Sequence, residues 1–162
     1  MKTAVLTIST AVSRGEREDT GGALLAELAG EAGAEVVAAE VIPDDATVIE
    51  ERLRRYAAEG CTFVFTTGGT GFTPDDVTPE ATRAVIERPA PGFAEAMRAK
   101  SLEYTPMGIL TRGESGIVGR TLIVNFPGSP KAVRQLFPVI APTLEHVAAT
   151  LHRNAGEPTP GH

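Results

Sequence analysis

The sequence predicts an α/β fold of three layers, in which helices cover both faces of a mostly parallel sheet. From Lys2 to Thr67, apolar and β-branched runs typical of strands alternate with segments whose apolar residues recur at helical spacing. Strands that alternate with helices in this way pair in parallel through right-handed crossovers. The length of 162 residues suits one domain with a full hydrophobic core.

The first half of the chain predicts three strands joined by two helices. In the first helix Leu24, Leu25 and Leu28 recur on one face, and Gly33 ends the helix. Gly60 ends the second helix in the same way. In chain order the predicted elements are the strand Lys2–Ser9, a loop at Thr10–Glu18, a helix opened by Asp19, the strand Ala34–Ile42, a helix started by Asp44 and Asp45, and the strand Cys61–Thr67.

The second half of the chain predicts further helices and one convincing strand. In chain order these elements are helices at Pro79–Arg88 and Phe93–Ala99, a loop or short strands around Gly108–Thr111, the strand Thr121–Phe126, a helix from Ala132 and a final helix at Val139–His152. We therefore expect a single domain over residues 1–152. Two prolines and two glycines follow it, which predicts a disordered tail over residues 153–162.

The composition argues against several classes of protein. A formal net charge of -6 disfavours sequence-independent binding of nucleic acid, which needs a basic face. No run approaches the roughly 18 consecutive apolar residues of a membrane span. The N-terminus enters strand-like sequence without a signal-peptide pattern, so we expect a cytoplasmic protein. The single cysteine, Cys61, cannot form an internal disulfide, and its place at the head of an apolar strand favours a buried structural thiol.

A glycine-rich loop, Gly68–Gly71, follows the third strand at the sheet edge where α/β proteins bind ligands. Glycines let backbone N–H groups approach a phosphate closely. The loop is not a Walker A loop, which needs G-x-x-x-x-G-K-[ST]. It is not a dinucleotide fingerprint either, because Pro74 stands where the third glycine would be. An anion-binding loop and a simple chain-reversing turn explain these residues equally well.

Acidic residues stand beside this loop and after the second strand. Asp75 and Asp76 precede a helix that Pro79 starts, and Asp44 precedes the second helix. Each of them can cap a helix or hold a turn, which is the favoured interpretation for Asp75. Because parallel strands end at one sheet edge, Asp44 and Asp76 can also converge and hold Mg²⁺, which prefers carboxylate oxygens. Two converging carboxylates over a phosphate loop favour metal-assisted phosphoryl or nucleotidyl transfer.

The segment Pro127–Lys131 follows the last strand and admits two interpretations. It is either a rigid strand-to-helix turn capped by Ser129, or part of an anion site with backbone donors and the charge of Lys131. Arginines could supplement such a site, although surface arginines are usually only solvated; the candidates are Arg14, Arg17 and Arg112. The three histidines fall in the last helix or the tail, so a histidine base is not expected.

Several segments together resemble the MoaB/Mog family, which includes the G domains of gephyrin-type proteins of molybdenum cofactor synthesis. The most specific are TTGGTG at Thr66–Gly71 and DVTPEAT at Asp76–Thr82, with PGSPKAV at Pro127–Val133 as a second match. Further similar segments are RGEREDTGG at Arg14–Gly22, VIPDD at Val41–Asp45 and TPMGILTRG at Thr105–Gly113. The resemblance covers nearly the whole chain. It implies a three-layer α/β domain that assembles as a homotrimer.

By this resemblance the chain is expected to be a molybdopterin adenylyltransferase, which uses Mg²⁺, takes ATP and molybdopterin as substrates and releases pyrophosphate. Asp44 and Asp76 match the family's two functionally required aspartates and are the expected catalytic residues and metal ligands. The glycines would lie against the nucleotide or the pterin phosphate, and Pro127 to Pro130 against the pterin. The expected binding residues are Ser9, Thr67, Gly68, Gly69, Thr70, Gly71, Ser115, Pro127, Gly128, Ser129 and Pro130.

Two departures from the family pattern leave a second hypothesis open. Ser9-Thr10 stands where relatives often carry Ser-Asp, and Gly21-Gly22 stands where relatives often carry Ser-Gly. The alternative is therefore a non-catalytic relative that binds molybdopterin or a partner of the pathway without adenylylating molybdopterin. A molybdenum insertase is an expected partner protein of the chain. A domain that itself inserts molybdate is disfavoured, because it normally sits inside a chain longer than 162 residues.

Overall fold

The computed structural model describes residues 1–158, in which strands and helices alternate. Two expected bounds differ: the predicted loop Thr10–Glu18 begins with a short helix, and the predicted helix Pro79–Arg88 ends at Val85. In chain order its elements are β1 (Lys2–Ile8), α1 (Thr10–Ser13), α2 (Thr20–Glu31), β2 (Glu35–Ile42), α3 (Ala46–Ala58), β3 (Phe63–Thr67), α4 (Thr78–Val85), β4 (Arg88–Pro89), α5 (Gly92–Leu102), a 3₁₀ helix at Pro106–Leu110, β5 (Ser115–Val118), β6 (Thr121–Phe126), α6 (Pro130–Ile140), a 3₁₀ helix at Ala141–Thr143, and α7 (Leu144–His152). No helix among these residues is long and apolar enough to cross a membrane.

The strands form a six-stranded sheet in the order β2-β1-β3-β6-β5-β4. β2, β1, β3 and β6 run parallel to one another, whereas β5 and β4 are antiparallel at one edge. The sheet is thus mostly parallel, which confirms the predicted α/β class. Parallel neighbours require crossover connections, and helices α2 and α3 supply them between the first three strands.

Side chains that alternate along the central strand separate two hydrophobic cores, one on each face of the sheet. Phe63 and Phe65 pack with residues of α2, α5 and α6, whereas Val64 packs with residues of α3 and α4. Successive residues of a strand point to opposite faces, so a strand buried on both faces is apolar throughout. Helices therefore cover both sides of the sheet, and the three-layer prediction is confirmed.

The parallel strands end level with one another at one edge of the sheet. Thr7 pairs with Thr67, and Thr67 pairs with Phe126, so β1, β3 and β6 finish side by side. The backbone N–H of Ser9 donates to the carbonyl of Ile42 at 2.9 Å, which brings the end of β2 to the same edge. The loops that follow four strands are thereby gathered at the position where open α/β sheets bind ligands.

The region between α5 and β6 differs from the prediction. A loop or short strands were expected around Gly108–Thr111, but Pro106–Leu110 forms a 3₁₀ helix capped by the Thr105 side chain. Pro106 stands at the start of this helix, a position that tolerates the missing N–H. The strand of this region lies later, at Ser115–Val118, where its pairing with β6 decides its position.

The predicted final helix Val139–His152 is in fact divided. α6 continues to Ile140, a 3₁₀ turn follows, and α7 begins at Leu144. Pro142 explains the break, because its ring excludes the helical hydrogen bond that a continuous helix would need there. The predicted tail, residues 153–162, is described only to residue 158, and residues 159–162 lie outside the described part of the chain.

Candidate functional site

Two glycines shape the loop that follows β3. Gly68 has φ +102°, and a Cβ atom there would stand 2.2 Å from the carbonyl oxygen of Ile8. Gly69 has φ +64°, and a Cβ atom there would stand 2.3 Å from the hydroxyl of Thr78. L-residues with a side chain rarely adopt these angles, and both positions lack room for one. The glycines are therefore required for the loop to lie against the ends of the neighbouring elements.

Asp44 is held by Thr10, the first residue of α1, just beyond the end of β1. The backbone N–H and the hydroxyl of Thr10 both donate to Oδ2 of Asp44, at 2.8 and 3.0 Å. The backbone N–H of Asp44 donates in return to the Thr10 hydroxyl at 3.0 Å. The second carboxylate oxygen, Oδ1, points toward Gly69, where it would lie 3.2 Å from an added Cβ atom. One carboxylate oxygen is thus fixed and the other is presented to the glycine loop.

Asp76 is held by its own loop. Its Oδ2 accepts hydrogen bonds from the backbone N–H of Thr73 at 2.8 Å and from the Thr73 hydroxyl at 2.6 Å. Partial burial raises the pKa of Asp76, but these bonds, the Gly71 amide and the charge of Arg112 outweigh burial. The pKa of Asp76 is consequently lowered from its ordinary value, and the side chain is an anion at neutral pH.

Arg112 ties this acidic loop to the segment before β5. Its Nε donates to the Gly71 carbonyl at 2.8 Å, and its Nη2 donates to the Asp76 carbonyl at 2.7 Å. Its guanidinium also forms an ion pair with Glu80, which lowers the pKa of that carboxyl. The sequence made Arg112 a candidate ligand for an anion, whereas in the structure its guanidinium donates to the loop and to Glu80 of α4. No local pattern signals this role, because 41 positions separate Arg112 from Gly71.

A cavity of about 510 Å³, here called the acidic cavity, opens at the ends of β1 and β3. Asp44 and Asp76 both line it, so the structure brings together the two predicted catalytic residues. Asp19 also lines it, but the hydroxyl of Thr7 and the N–H of Gly22 engage its two oxygens at 2.8 Å each, as befits a helix cap. The other predicted residues that line the acidic cavity are Ser9, Thr67, Gly68, Gly69, Gly128, Ser129 and Pro130, and Arg17 lies at its wall.

A second cavity of about 600 Å³, here called the hydrophobic-walled cavity, lies on the other side of the glycine loop. Tyr104, Met107 and Leu110 form its apolar wall, and each of these side chains is substantially exposed. Its predicted binding residues include Thr70, Gly71 and Pro127, and Lys131 also lines it. The residues shared by both cavities are Gly68, Gly69, Asp76, Gly128 and Ser129.

Ser115 stands apart from the other predicted binding residues. It begins β5, is buried, and lines neither cavity. Its hydroxyl donates to the Ala90 carbonyl at 2.7 Å and accepts from the Ala94 N–H at 3.2 Å. These bonds satisfy the buried hydroxyl, so Ser115 joins β5 to the start of α5 and lies outside both cavities. Asp75 is exposed and also lines neither cavity, as expected for a turn residue.

The two aspartates suit a magnesium ion shared with a phosphate. Within residues 1–158, no three acidic, histidine or cysteine side chains form a complete metal cluster. Mg²⁺ is usually bound by one or two carboxylates, with waters and substrate phosphates completing its coordination. Oδ1 of Asp44 accepts no hydrogen bond from the described residues, so it keeps its lone pairs for such an ion. The donor chemistry therefore fits a substrate-assisted Mg²⁺ site.

Comparison with known sequences agrees with this geometry. Residues 4–146 match the family described as "Probable molybdopterin binding domain". The molybdopterin adenylyltransferase of Helicobacter pylori is 38% identical over 145 residues, which cover 88% of this chain and 82% of that protein. The molybdenum cofactor synthesis protein cinnamon of Drosophila melanogaster is 42% identical over 144 residues. That match also covers 88% of this chain but only 24% of cinnamon, which is much longer.

A solved structure extends the similarity to the whole fold. The molybdopterin biosynthesis enzyme MoaB from Thermus thermophilus superposes with a TM-score of 0.87 at 42% sequence identity. The superposition covers 98% of this chain and 99% of that protein. The family match, the identities and the shared fold agree with one another. This chain therefore belongs to the molybdopterin-binding domain family of MoaB and Mog proteins, which act in molybdenum cofactor biosynthesis.

Proposed function

We propose that this chain transfers AMP from ATP to the terminal phosphate of molybdopterin, with Mg²⁺, and releases pyrophosphate. The observation that carries the proposal is the boundary between the two cavities, where Gly68, Gly69 and Asp76 line both. Two substrates bound on either side of the glycine loop would meet at that boundary. Relatives named molybdopterin adenylyltransferase, at 38% and 49% identity over the matched residues, support the same reaction.

The proposed reaction needs no histidine base, because the attacking phosphate oxygen of molybdopterin is already an anion. That oxygen would form a bond to the α-phosphorus of ATP while the bond to the β-phosphate oxygen breaks, and pyrophosphate would leave with the electron pair. Mg²⁺, when bound, offsets charge on the transferred group and on the leaving pyrophosphate. Asp44 and Asp76 would hold the ion. The glycine loop would contact a phosphate through the backbone N–H groups of Gly69 and Thr70, because the N–H of Gly68 donates to the Phe126 carbonyl and that of Gly71 to Asp76.

Pyrophosphate release from ATP, Mg²⁺ and molybdopterin tests the proposal. Asp76→Asn keeps the shape of the side chain but removes its charge, and we expect a fall of about 100-fold or more, the usual cost of losing one charge-stabilising group. Asp75→Asn is the matched control, since Asp75 is an exposed neighbour that lines neither cavity. This control is expected to stay within about twofold of wild type.

A wild-type rate no higher than that of Asp76→Asn would sink the proposal. Molybdopterin binding without pyrophosphate release would favour the non-catalytic alternative instead. The homotrimer, the molybdenum insertase as a partner and the cytoplasmic location stay predictions that rest on the resemblance and the composition. Among the predicted binding residues, Ser115 is not carried into the proposed site.

A further inference from the structure

Thr10 and Asp44 are joined by reciprocal hydrogen bonds at the edge of the acidic cavity. The Thr10 hydroxyl has one proton, which it donates to Oδ2 of Asp44 at 3.0 Å. Its oxygen accepts the N–H of Asp44 at 3.0 Å. The hydroxyl therefore contacts both the side chain and the backbone of Asp44, and neither residue can rotate without breaking a bond to the other.

The pair leaves Asp44 with two unlike oxygens. Oδ2 accepts from both the hydroxyl and the backbone N–H of Thr10, at 3.0 and 2.8 Å, which occupies its two lone-pair directions. Oδ1 receives no hydrogen bond from the part of the chain that the structure describes, and it lies toward Gly69. The carboxylate is thus turned so that a single, unoccupied oxygen faces the glycine loop.

Thr10 is itself held in place by the ends of two strands. It is the first residue of α1, whose N-cap Ser9 accepts from the N–H of Val12 at 3.3 Å. The N–H of Ser9 donates to the carbonyl of Ile42 at 2.9 Å, which joins the end of β1 to the end of β2. Thr10 therefore links the side chain of Asp44, 34 positions later in the chain, to the edge of the sheet.

We propose that Thr10 is a positioning residue, which orients Asp44 so that Oδ1 serves the transferred phosphate and its metal ion. The inference rests on the proposed adenylyl transfer for its kinetic consequence, but its structural claim stands on the hydrogen bonds alone. Thr10 does not itself touch the reacting atoms. Its loss should therefore lower kcat, because a misplaced group acts mainly in the transition state, and should change the KM for ATP much less.

Thr10→Val removes the hydroxyl at nearly constant shape, and Thr10→Ser restores it. We expect Thr10→Val to lower kcat by about tenfold or more with less than about a threefold change in KM for ATP, and Thr10→Ser to stay within about threefold of wild type. Thr47→Val is the matched control, because Thr47 is exposed in α3 close to Asp44 and lines neither cavity. Thermal unfolding of each variant checks that the fold is retained.

Crystal structures of wild type and Thr10→Val give a readout that does not depend on turnover. We expect the Asp44 carboxylate of the variant to leave its wild-type orientation, so that Oδ1 no longer faces Gly69. An unmoved carboxylate in Thr10→Val overturns the inference, and so does an unchanged kcat in an active protein. If wild type releases no pyrophosphate, the proposed function fails, and the orientation of Asp44 in the two crystal structures alone decides the inference.

Discussion

The two aspartates at the acidic cavity are positioned by different kinds of structure. Asp44 takes its hydrogen bonds from Thr10, 34 positions away in the short helix that follows β1. Asp76 takes its hydrogen bonds from Thr73, three positions away in the same loop. The position of Asp44 is thus decided by the sheet, whereas that of Asp76 is decided mainly by the loop. One edge of the sheet combines a carboxylate fixed by a distant strand end with a carboxylate fixed locally.

The surroundings of Asp44 and those of Asp76 meet at Gly69 and the start of α4. A side chain at Gly69 would meet both Thr78 and Oδ1 of Asp44, and the carbonyl of Gly69 accepts the N–H of Thr78 at 3.1 Å. The Thr78 hydroxyl donates to the carbonyl of Gly68 at 3.0 Å and is buried. Changes at this junction should disturb both aspartates, and changes in the outer loop should disturb Asp76 alone.

The largest effect is expected from Gly69→Ala. The alanine combines a strained positive φ with a Cβ atom 2.3 Å from the Thr78 hydroxyl, and we expect a loss of about 2–4 kcal/mol in the free energy of unfolding. Gly15→Ala is the control, since Gly15 has φ +74° with no atom within 4 Å of an added Cβ, so only the strain of about 1 kcal/mol remains. Urea unfolding measures both, and equal losses would show that the junction is not tightly packed.

A smaller effect is expected from Thr78→Val. The substitution leaves the buried carbonyl of Gly68 without the hydroxyl that donates to it, which costs about 1–3 kcal/mol of unfolding free energy. Thr78→Ser keeps the hydroxyl and should retain most of the stability. If Thr78→Val unfolds at the same urea concentration as wild type, the link between α4 and the glycine loop contributes nothing measurable.

The smallest effect is expected from Thr73→Val, and it should depend on pH. The pKa of Asp76 in the folded protein lies below its ordinary value of 3.8, so its charge stabilises the fold above that pH. This stabilisation is lost as the pH falls through the folded pKa. Without the Thr73 hydroxyl the folded pKa moves back up, and we expect a loss of roughly a few tenths of a kcal/mol at pH 7.

Urea unfolding of Thr73→Val and wild type at two pH values checks this prediction. The difference in unfolding free energy should be present at neutral pH and should shrink at a pH well below 3.8, where Asp76 is protonated in both proteins. Thr73→Ser serves as the control that keeps the hydroxyl. A difference that grows in acid would contradict the lowered pKa.

Local patterns were sufficient to predict much of the fold. The strand Thr121–Phe126 has the predicted bounds, and the apolar run through Phe63–Thr67 forms the buried central strand. The antiparallel edge of the sheet was predicted poorly, because its structure depends on distant partners. The antiparallel strands β4 and β5 are short, and their positions are set by pairing beside β6, which no local period reveals.

The residues of the site likewise differ in whether their roles could be predicted from local sequence. The glycine loop and its acidic residues could be found in the sequence, because positive φ angles and close backbone contacts require glycine there. The roles of Arg112 and Ser115 could not, since their hydrogen-bond partners lie in distant segments. Arg112 was a candidate ligand-binding residue by residue type and Ser115 by resemblance, whereas in the structure the donors of both side chains bond within the protein.

The sequence by itself determined the α/β class, the ligand-binding edge of the sheet and the two aspartates at that edge. These depend on local periodicity and on the rule that parallel strands end together. Only the tertiary structure decided which oxygen of Asp44 is free, because its partner Thr10 comes from another strand end. It alone also revealed two cavities that share Gly68, Gly69 and Asp76. Hydrogen-bond partners and enclosed space arise only when distant segments are brought together, so neither is present in any local stretch of sequence.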